Sequence, residues 1–307
     1  MKTRAITYVI LAGIFWGTSG IFVNLLSPYG FTSYQMTAVR AIVSFICMLA
    51  YTLIKDRSLF KLRRADLLII FSVGATMFLT ANLYYTSMQM TSVSTAVVLM
   101  YTAPIYVAVF SSLFLGERLS RTSVAAIACM LVGCGLVSGI IGGIKFDLVG
   151  IIIGVLSGIT YAAYNILTKI AVGRGINPVS VTLYSFGFMS VISLILLEPK
   201  KMAESISTEP ALTIPLLVGL GIFTYVVPYF LYTLGMRDLP AATATSLGTV
   251  EPMSATLFSV IIFNEVLDLF SIIGIILIIL AIVITGRGEA SDKCKKDKEE
   301  TEEKCVI

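Results

Sequence analysis

The chain is a succession of ten apolar runs, each close to the length that crosses a bilayer as a helix. They extend over Ala5 to Leu26, Tyr34 to Ile54, Leu67 to Met88, Val93 to Leu115, Ser123 to Ile141, Leu148 to Ile170, Val179 to Leu197, Ala211 to Met236, Ala241 to Phe263 and Leu269 to Gly286. A helix needs about 20 apolar residues to cover the roughly 30 Å of hydrocarbon. Strands that cross lipid are about ten residues long and alternate in polarity, whereas these runs are longer and apolar on every side. The fold class is therefore an all-α membrane protein with ten transmembrane helices. A soluble domain is excluded, because only 13% of residues are charged, against about a quarter in soluble proteins. The basic N-terminus followed by an apolar run has the outline of a secretory leader. That run is too long and has no clear Ala-x-Ala site, so cleavage is not expected.

The ten runs form two sets of five. Pro104 and Glu117 recur 148 residues later as Pro252 and Glu265, and Leu83/Leu231, Tyr84/Tyr232, Met88/Met236, Thr95/Thr243 and Phe110/Phe258 follow the same shift. Nearer the N-terminus a shift of 145 pairs Gly13 with Gly158, Trp16 with Tyr161, Gly30 with Gly175 and Thr37 with Thr182. Self-similarity at a fixed offset marks an internal duplication. The expected domains are residues 1–141, residues 148–286 and a charged tail over 287–307. An odd number of crossings per copy turns the second copy upside down, and inverted repeats are a feature of transporters. Two such copies can exchange conformations, so a central site meets each side of the membrane in turn. The plainer alternative is a duplication that only enlarged a stable bundle.

Lysine and arginine number eighteen on the loops that share a side with the N-terminus and three, Lys145, Lys200 and Lys201, on the other. The side rich in these residues is cytoplasmic, so both termini are expected in the cytoplasm and the chain in a plasma or inner membrane. The net charge of +4 reflects this asymmetry. No arginine-rich aromatic patch points to nucleic acid. The tail carries six basic and seven acidic residues, a composition expected to stay disordered. The five cysteines lack CxxC spacing, so neither a disulfide framework nor a metal site is implied. Cys305 is third from the end, too close for a prenylation box.

Two charges lie deep in the runs. Arg40 is about 10 Å below the outer boundary and Glu251 is near the midplane, at 1.5 Å per residue. A charge at the helix centre costs about 2.5–3.5 kcal/mol on insertion scales and is normally paired or functional. Under the duplication Arg40 corresponds to Ser185 and Glu251 to Ala103, so each charge belongs to one half. Three readings stay open: a buried Arg40–Glu251 pair, an Arg40 that snorkels to the interface, or a functional pair. In the last, Glu251 carries a proton or binds a substrate ammonium, and Arg40 orients a carboxylate or supports the outer gate. A carboxylate held at depth gains or loses its proton as its surroundings change, which makes Glu251 the candidate for proton coupling.

Pro104, Pro228 and Pro252 fall inside runs, and each frees the carbonyl four residues earlier, those of Met100, Thr224 and Gly248. The matched Pro104 and Pro252 suggest a shared central axis. Gly13 and Gly17, Gly158 and Ala162, and Gly135 and Gly139 have the small-residue spacing of close helix packing. That spacing fits packing within the chain at least as well as a dimer, so a monomer or weak dimer is expected. The other candidates for a substrate cavity are Trp16, Asn24, Asn82, Tyr85, Tyr101, Tyr164, Asn165 and Tyr229; tyrosine and tryptophan also favour the membrane interface on their own account.

The stretch Ala12-Gly-Ile-Phe-Trp-Gly-Thr-Ser, Arg40, and two related signatures resemble the drug/metabolite transporter superfamily, and within it the EamA-type ten-helix carriers. The signatures are Tyr101-Thr-Ala-Pro-Ile-Tyr-Val with Leu115-Gly-Glu-Arg-Leu, and Val250-Glu-Pro-Met-Ser-Ala with Phe263-Asn-Glu-Val-Leu. The resemblance covers nearly the whole chain. It implies two five-helix repeats, alternating access, a cavity between the halves, and small metabolites, amino acids among them, as substrates. Glu117 and Glu265 match family positions at helix ends with a structural role, and Asn264 departs from the commoner glycine.

A membrane-embedded enzyme is disfavoured by the absence of histidine, of an Asp-rich metal cluster and of a nucleophile with an evident base. A pump would need a phosphate-cradling GxxxxGK[ST] loop, and a channel a filter or ring of charges. The expected function is secondary export of amino acids or similar polar metabolites, with multidrug or toxic-cation efflux as the alternative. The expected partners are the small-molecule substrate, the lipid bilayer and a coupling proton, with no cofactor and no metal.

Overall fold

The computed structural model describes residues 2–91, 93–116, 121–137, 147–196, 198–263 and 269–284. Every regular element among the described residues is helical. In chain order these are α1 (Lys2–Gly17), α2 (Ser19–Leu26), α3 (Ser33–Lys55), α4 (Leu67–Met90), α5 (Val93–Met100), α6 (Ala103–Phe114), α7 (Arg121–Val137), α8 (Leu148–Gly173), α9 (Pro178–Leu196), α10 (Pro199–Thr208), α11 (Pro210–Gly221), α12 (Val227–Asp238), α13 (Ala241–Gly248), α14 (Val250–Phe263) and α15 (Leu269–Ile284). Among the described residues seven stretches are long and apolar enough to cross a membrane. α7 and α15 are shorter apolar helices, and the ninth apolar run is divided at Thr249 into α13 and α14. Glu117, Glu265, Gly139 and the charged tail lie outside the described residues.

Side chains such as Ile54, Leu68, Phe114 and Ile195 are more than 70% exposed, far beyond what a water-facing surface carries as contiguous apolar area. Their solvent is lipid, and this is a multi-pass membrane protein. Many hydroxyl and amide side chains inside the spans bond a carbonyl of their own helix. In α4, Thr76, Thr80, Asn82 and Thr86 donate to carbonyls four residues earlier at 2.7–2.8 Å, which suits a medium where an unmet polar group is costly.

The duplication is visible in local geometry. Gly30 (φ 78°) ends the first span and Gly175 (φ 81°) ends α8, both left-handed, a conformation that favours glycine. Two residues beyond each stands an N-cap. The Thr32 hydroxyl accepts from Gln35 N at 3.2 Å while Gln35 Oε1 accepts from Thr32 N at 2.9 Å, a capping box. Asn177 Oδ1 accepts from Val179 N at 2.9 Å. The same turn chemistry starts α3 and α9.

Two straps hold the ends. On the face that carries the N-terminus, hereafter the near face, residues 56–66 cross to the second half. There the Ser180 hydroxyl donates to Leu59 O at 2.7 Å, the Tyr184 hydroxyl to Phe60 O at 2.8 Å, and Asp66 pairs with Arg63 at 2.8 Å and Arg174 at 3.9 Å. On the far face α10 lies over the turn after α2, with Met202 and Ile206 packed against Leu26, Phe31 and Leu217. The Tyr29 hydroxyl donates to Glu209 at 3.0 Å.

Candidate functional site

The fourth and ninth spans are both broken at depth. α5 ends at Met100, a turn covers Tyr101 and Thr102, and α6 restarts with Pro104 as its second residue. α13 ends at Gly248, and α14 restarts beyond Thr249 with Glu251 and Pro252 in its first turn. Proline is tolerated at the start of a helix because its missing donor has no partner there. A carboxylate in a first turn meets the positive end of the helix dipole, and the break places Glu251 there rather than in a helix interior.

Repeat-equivalent glycines hold the two breaks. A Cβ on Gly13 would lie 3.0 Å from Val250 Cβ and 3.3 Å from Gly248 O. A Cβ on Gly158 would lie 2.9 Å from Leu99 O and 3.3 Å from Met100 O. The first span thus supports the break of the second half, and α8 supports that of the first.

Between these supports lies a cavity of about 610 Å³, within the range of small-molecule sites. Of the residues expected from sequence, Trp16, Arg40, Tyr85, Tyr101, Tyr164, Tyr229 and Glu251 line it. Three do not. Asn24 is exposed near the end of α2. Asn82 donates to Phe78 O at 2.8 Å and has no place in the wall. Asn165 is fully buried behind the wall, donating to Tyr161 O at 2.8 Å and accepting from the Tyr232 hydroxyl at 2.6 Å.

Arg40 projects from α3 and is only 5% exposed. Its guanidinium carbon is 5.8 Å from the Tyr85 ring centre and 5.6 Å from that of Tyr225, contacts worth about 0.5–2 kcal/mol each. Its Nε and Nη2 have no hydrogen-bond partner. Arg40 and Glu251 do not form an ion pair, and burial rules out a snorkelling arginine. The Trp16 indole N–H and the Tyr101 hydroxyl, 6% and 3% exposed by residue, are also without partners. Buried unmet donors cost about 1–3 kcal/mol, more when charged. The cavity therefore presents a surplus of donors that suits an anionic or acceptor-rich group, with one carboxylate on the same wall.

The remaining wall is aromatic. Trp16 meets Tyr229 edge-on at 5.1 Å, Tyr229 lies 5.0 Å from Tyr225, and Tyr161 stacks on Tyr164 at 6.0 Å. Tyr84, Tyr161 and Tyr225 also line the cavity, beyond the residues expected from sequence. For Tyr161 the signal was its pairing with Trp16 under the duplication. Tyr225 sits in a π-helical turn, Ile222–Val226, just before Pro228; π turns occur often at functional sites. Among the described residues no three His, Cys, Asp or Glu side chains gather to hold a metal.

The cavity reaches from midspan toward the far face, as Ser19, Gly20, Val23, Met88, Ala255 and Thr256 line it. Toward the near face Ala5, Val9, Tyr232, Met236, Leu239 and Leu247 form a buried cluster below Trp16.

Comparison with known proteins places these features. The profile of the EamA-like transporter family matches twice, over residues 3–139 and 148–287. An uncharacterized transporter of Archaeoglobus fulgidus is 29% identical over 91% of this chain and 95% of its own length. The uncharacterized transporter YwfM of Bacillus subtilis is 27% identical over 93% and 95%. The uncharacterized inner membrane transporter YedA of Escherichia coli is 25% identical over 90% and 88%. One crystal structure superposes with a TM-score of 0.75 over 92% of this chain and 96% of the other, at 17% identity, which speaks to the fold alone.

Proposed function

The chain belongs to the EamA-like transporter family, and from that premise we propose that it is a secondary carrier exporting small zwitterionic metabolites, amino acids foremost, across the plasma or inner membrane. Ten spans in two oppositely facing five-helix copies, with both termini in the cytoplasm, form the frame of this reading. The double profile match and the lysine and arginine asymmetry support it.

The observation that carries the substrate class is Arg40, buried with two unpartnered nitrogens and facing the same cavity as Glu251. A substrate carboxylate satisfies the guanidinium, which is shaped to grip two oxygens at once. Its ammonium is drawn to Glu251 and to the faces of Tyr229 and Tyr225. When the substrate leaves, a proton on Glu251 takes over its neutralising role, which couples efflux to proton entry. With the near face taken as cytoplasmic, the cavity seen here faces outward, and the cluster below Trp16 separates it from the cytosol.

Uptake and counterflow of labelled amino acids in proteoliposomes with an imposed proton gradient test this reading. Exchange of one internal for one external molecule without a gradient is expected of a carrier. Passive flux with no counterflow rejects it. The aromatic walls with a single carboxylate favour a second reading, efflux of lipophilic cations. In that case a cation with no carboxylate is transported, and Arg40→Ala leaves its transport intact.

A further inference from the structure

Lys169 in α8 donates from Nζ to Met236 O at 2.8 Å and to Leu239 O, the closing carbonyls of α12. A cation at a helix C-terminus is favoured by the dipole and meets carbonyls that have no partner within the helix. Around it Asn165, Thr168 and Met236 are fully buried. This cap ties the sixth span to the eighth on the near side, where the cavity is shut.

The duplication names its counterpart. Asn24 precedes the left-handed Gly30 by the same six residues that separate Lys169 from Gly175. α4 closes with Thr91 N on Ser87 O, and α12 closes with Leu239 N on Gly235 O. Met88 and Thr91 thus stand where Met236 and Leu239 stand in the other half. In place of the packed Asn165, Thr168 and Met236, the far side has Gly20, Val23 and Met88 lining the cavity. Asn24 itself is exposed and makes no hydrogen bond among the described residues.

Resting on the carrier reading above, we propose that Lys169 and Asn24 are alternating latches: Lys169 holds the near side shut in the state seen here, and Asn24 donates to the carbonyls of Met88 and Thr91 when the far side closes. Closing the far side brings α2 onto the end of α4 in the way α8 already meets α12. The latches are unequal. A charged donor binds a carbonyl more strongly than a neutral amide, so the pair biases the carrier toward the state open on the far side. Both are positioning residues, acting on the access equilibrium rather than on substrate.

The test strengthens the weak latch. In a cysteine-free background, Ala255→Cys reports the far half of the cavity and Ala12→Cys the buried near side, each labelled with a membrane-impermeant maleimide in vesicles of known orientation. Asn24→Lys is expected to slow labelling of Ala255→Cys about tenfold and to speed that of Ala12→Cys, the size of one charge-assisted hydrogen bond. Lys169→Met is expected to act in the same direction, Lys169→Arg to restore the parent pattern, and Asn24→Ala to slow labelling of Ala12→Cys without slowing that of Ala255→Cys. Asn24 is exposed, so Asn24→Lys does not depend on the core for folding. If labelling from both faces is unchanged in Asn24→Lys and Lys169→Met while substrate exchange persists, the latches are overturned and the carrier reading stands. If Ala12→Cys in the parent never reacts under any substrate gradient, the carrier reading falls and the latches fall with it.

Discussion

A Cβ added to Gly158 would stand 2.9 Å from the carbonyl oxygen of Leu99, so α8 touches the backbone of the fourth span immediately before its break. A contact this close between helix backbones leaves no room for a side chain and must be relieved by moving one of the two helices. Gly158→Ala is expected to destabilise the protein by about 1–3 kcal/mol, the usual cost of overpacking. Gly135→Ala is the control, since a Cβ there meets nothing within 4 Å. Thermal unfolding in detergent should separate the two, and equal melting temperatures would falsify the tight contact.

Arg40 offers a second measurement. Its fork contacts no protein acceptor through Nε or Nη2, and the Tyr85 and Tyr225 rings lie 5.8 and 5.6 Å from its guanidinium carbon; under the carrier reading a substrate carboxylate meets the two free nitrogens. Arg40→Ala should abolish transport of a zwitterion. Arg40→Lys keeps the charge but loses the two-pronged grip, and should raise KM by about tenfold to a hundredfold, the equivalent of about 1.5–3 kcal/mol for a charged hydrogen bond. A Lys variant with wild-type KM would remove the bidentate contact from the scheme.

Much of the cavity wall was legible in the sequence because charge at depth is rare. Arg40 and Glu251 stood out among apolar neighbours, and Pro104 and Pro252 located the breaks that the structure places beside them. The asparagines were a different matter. An amide in a helix can bond a carbonyl one turn back, as Asn82 and Asn165 do, so the residue type alone does not say whether it faces a cavity. Tyr225 was missed because the π turn at Ile222–Val226 departs from the 3.6-residue period on which any assignment of faces rests. The only sequence cue to it was Pro228, which removes a backbone donor beside that turn.

Under the proposed scheme Glu251 ties the site to the driving force. With a proton carried on this carboxylate, lowering the pH on the outer side should accelerate export from loaded vesicles. Glu251→Gln fixes the side chain in a neutral state close in shape to the protonated acid. It should retain counterflow of substrate while losing the response to a pH gradient. A Gln variant whose export is still accelerated by a pH gradient would assign the coupling proton elsewhere.

The layer behind the wall should matter through stability more than through binding. The Tyr232 hydroxyl donates to Asn165 Oδ1 at 2.6 Å and lies 3.3 Å from the Thr245 hydroxyl, all fully or nearly fully buried. Tyr232→Phe removes the donor and leaves the asparagine oxygen unmet, which costs about 1–3 kcal/mol. Replacing both partners with apolar groups of similar shape is far less costly, because no polar atom is then stranded. Tyr232→Phe should therefore lower the melting temperature, and adding Asn165→Leu should recover part of that loss. The Trp16 ring rests on Tyr232 at 5.3 Å and Phe preserves that surface, so substrate KM should change little in Tyr232→Phe. A large rise in KM with unchanged stability would instead mean that Tyr232 reaches the substrate, and the floor of the cavity would have to be drawn one layer deeper.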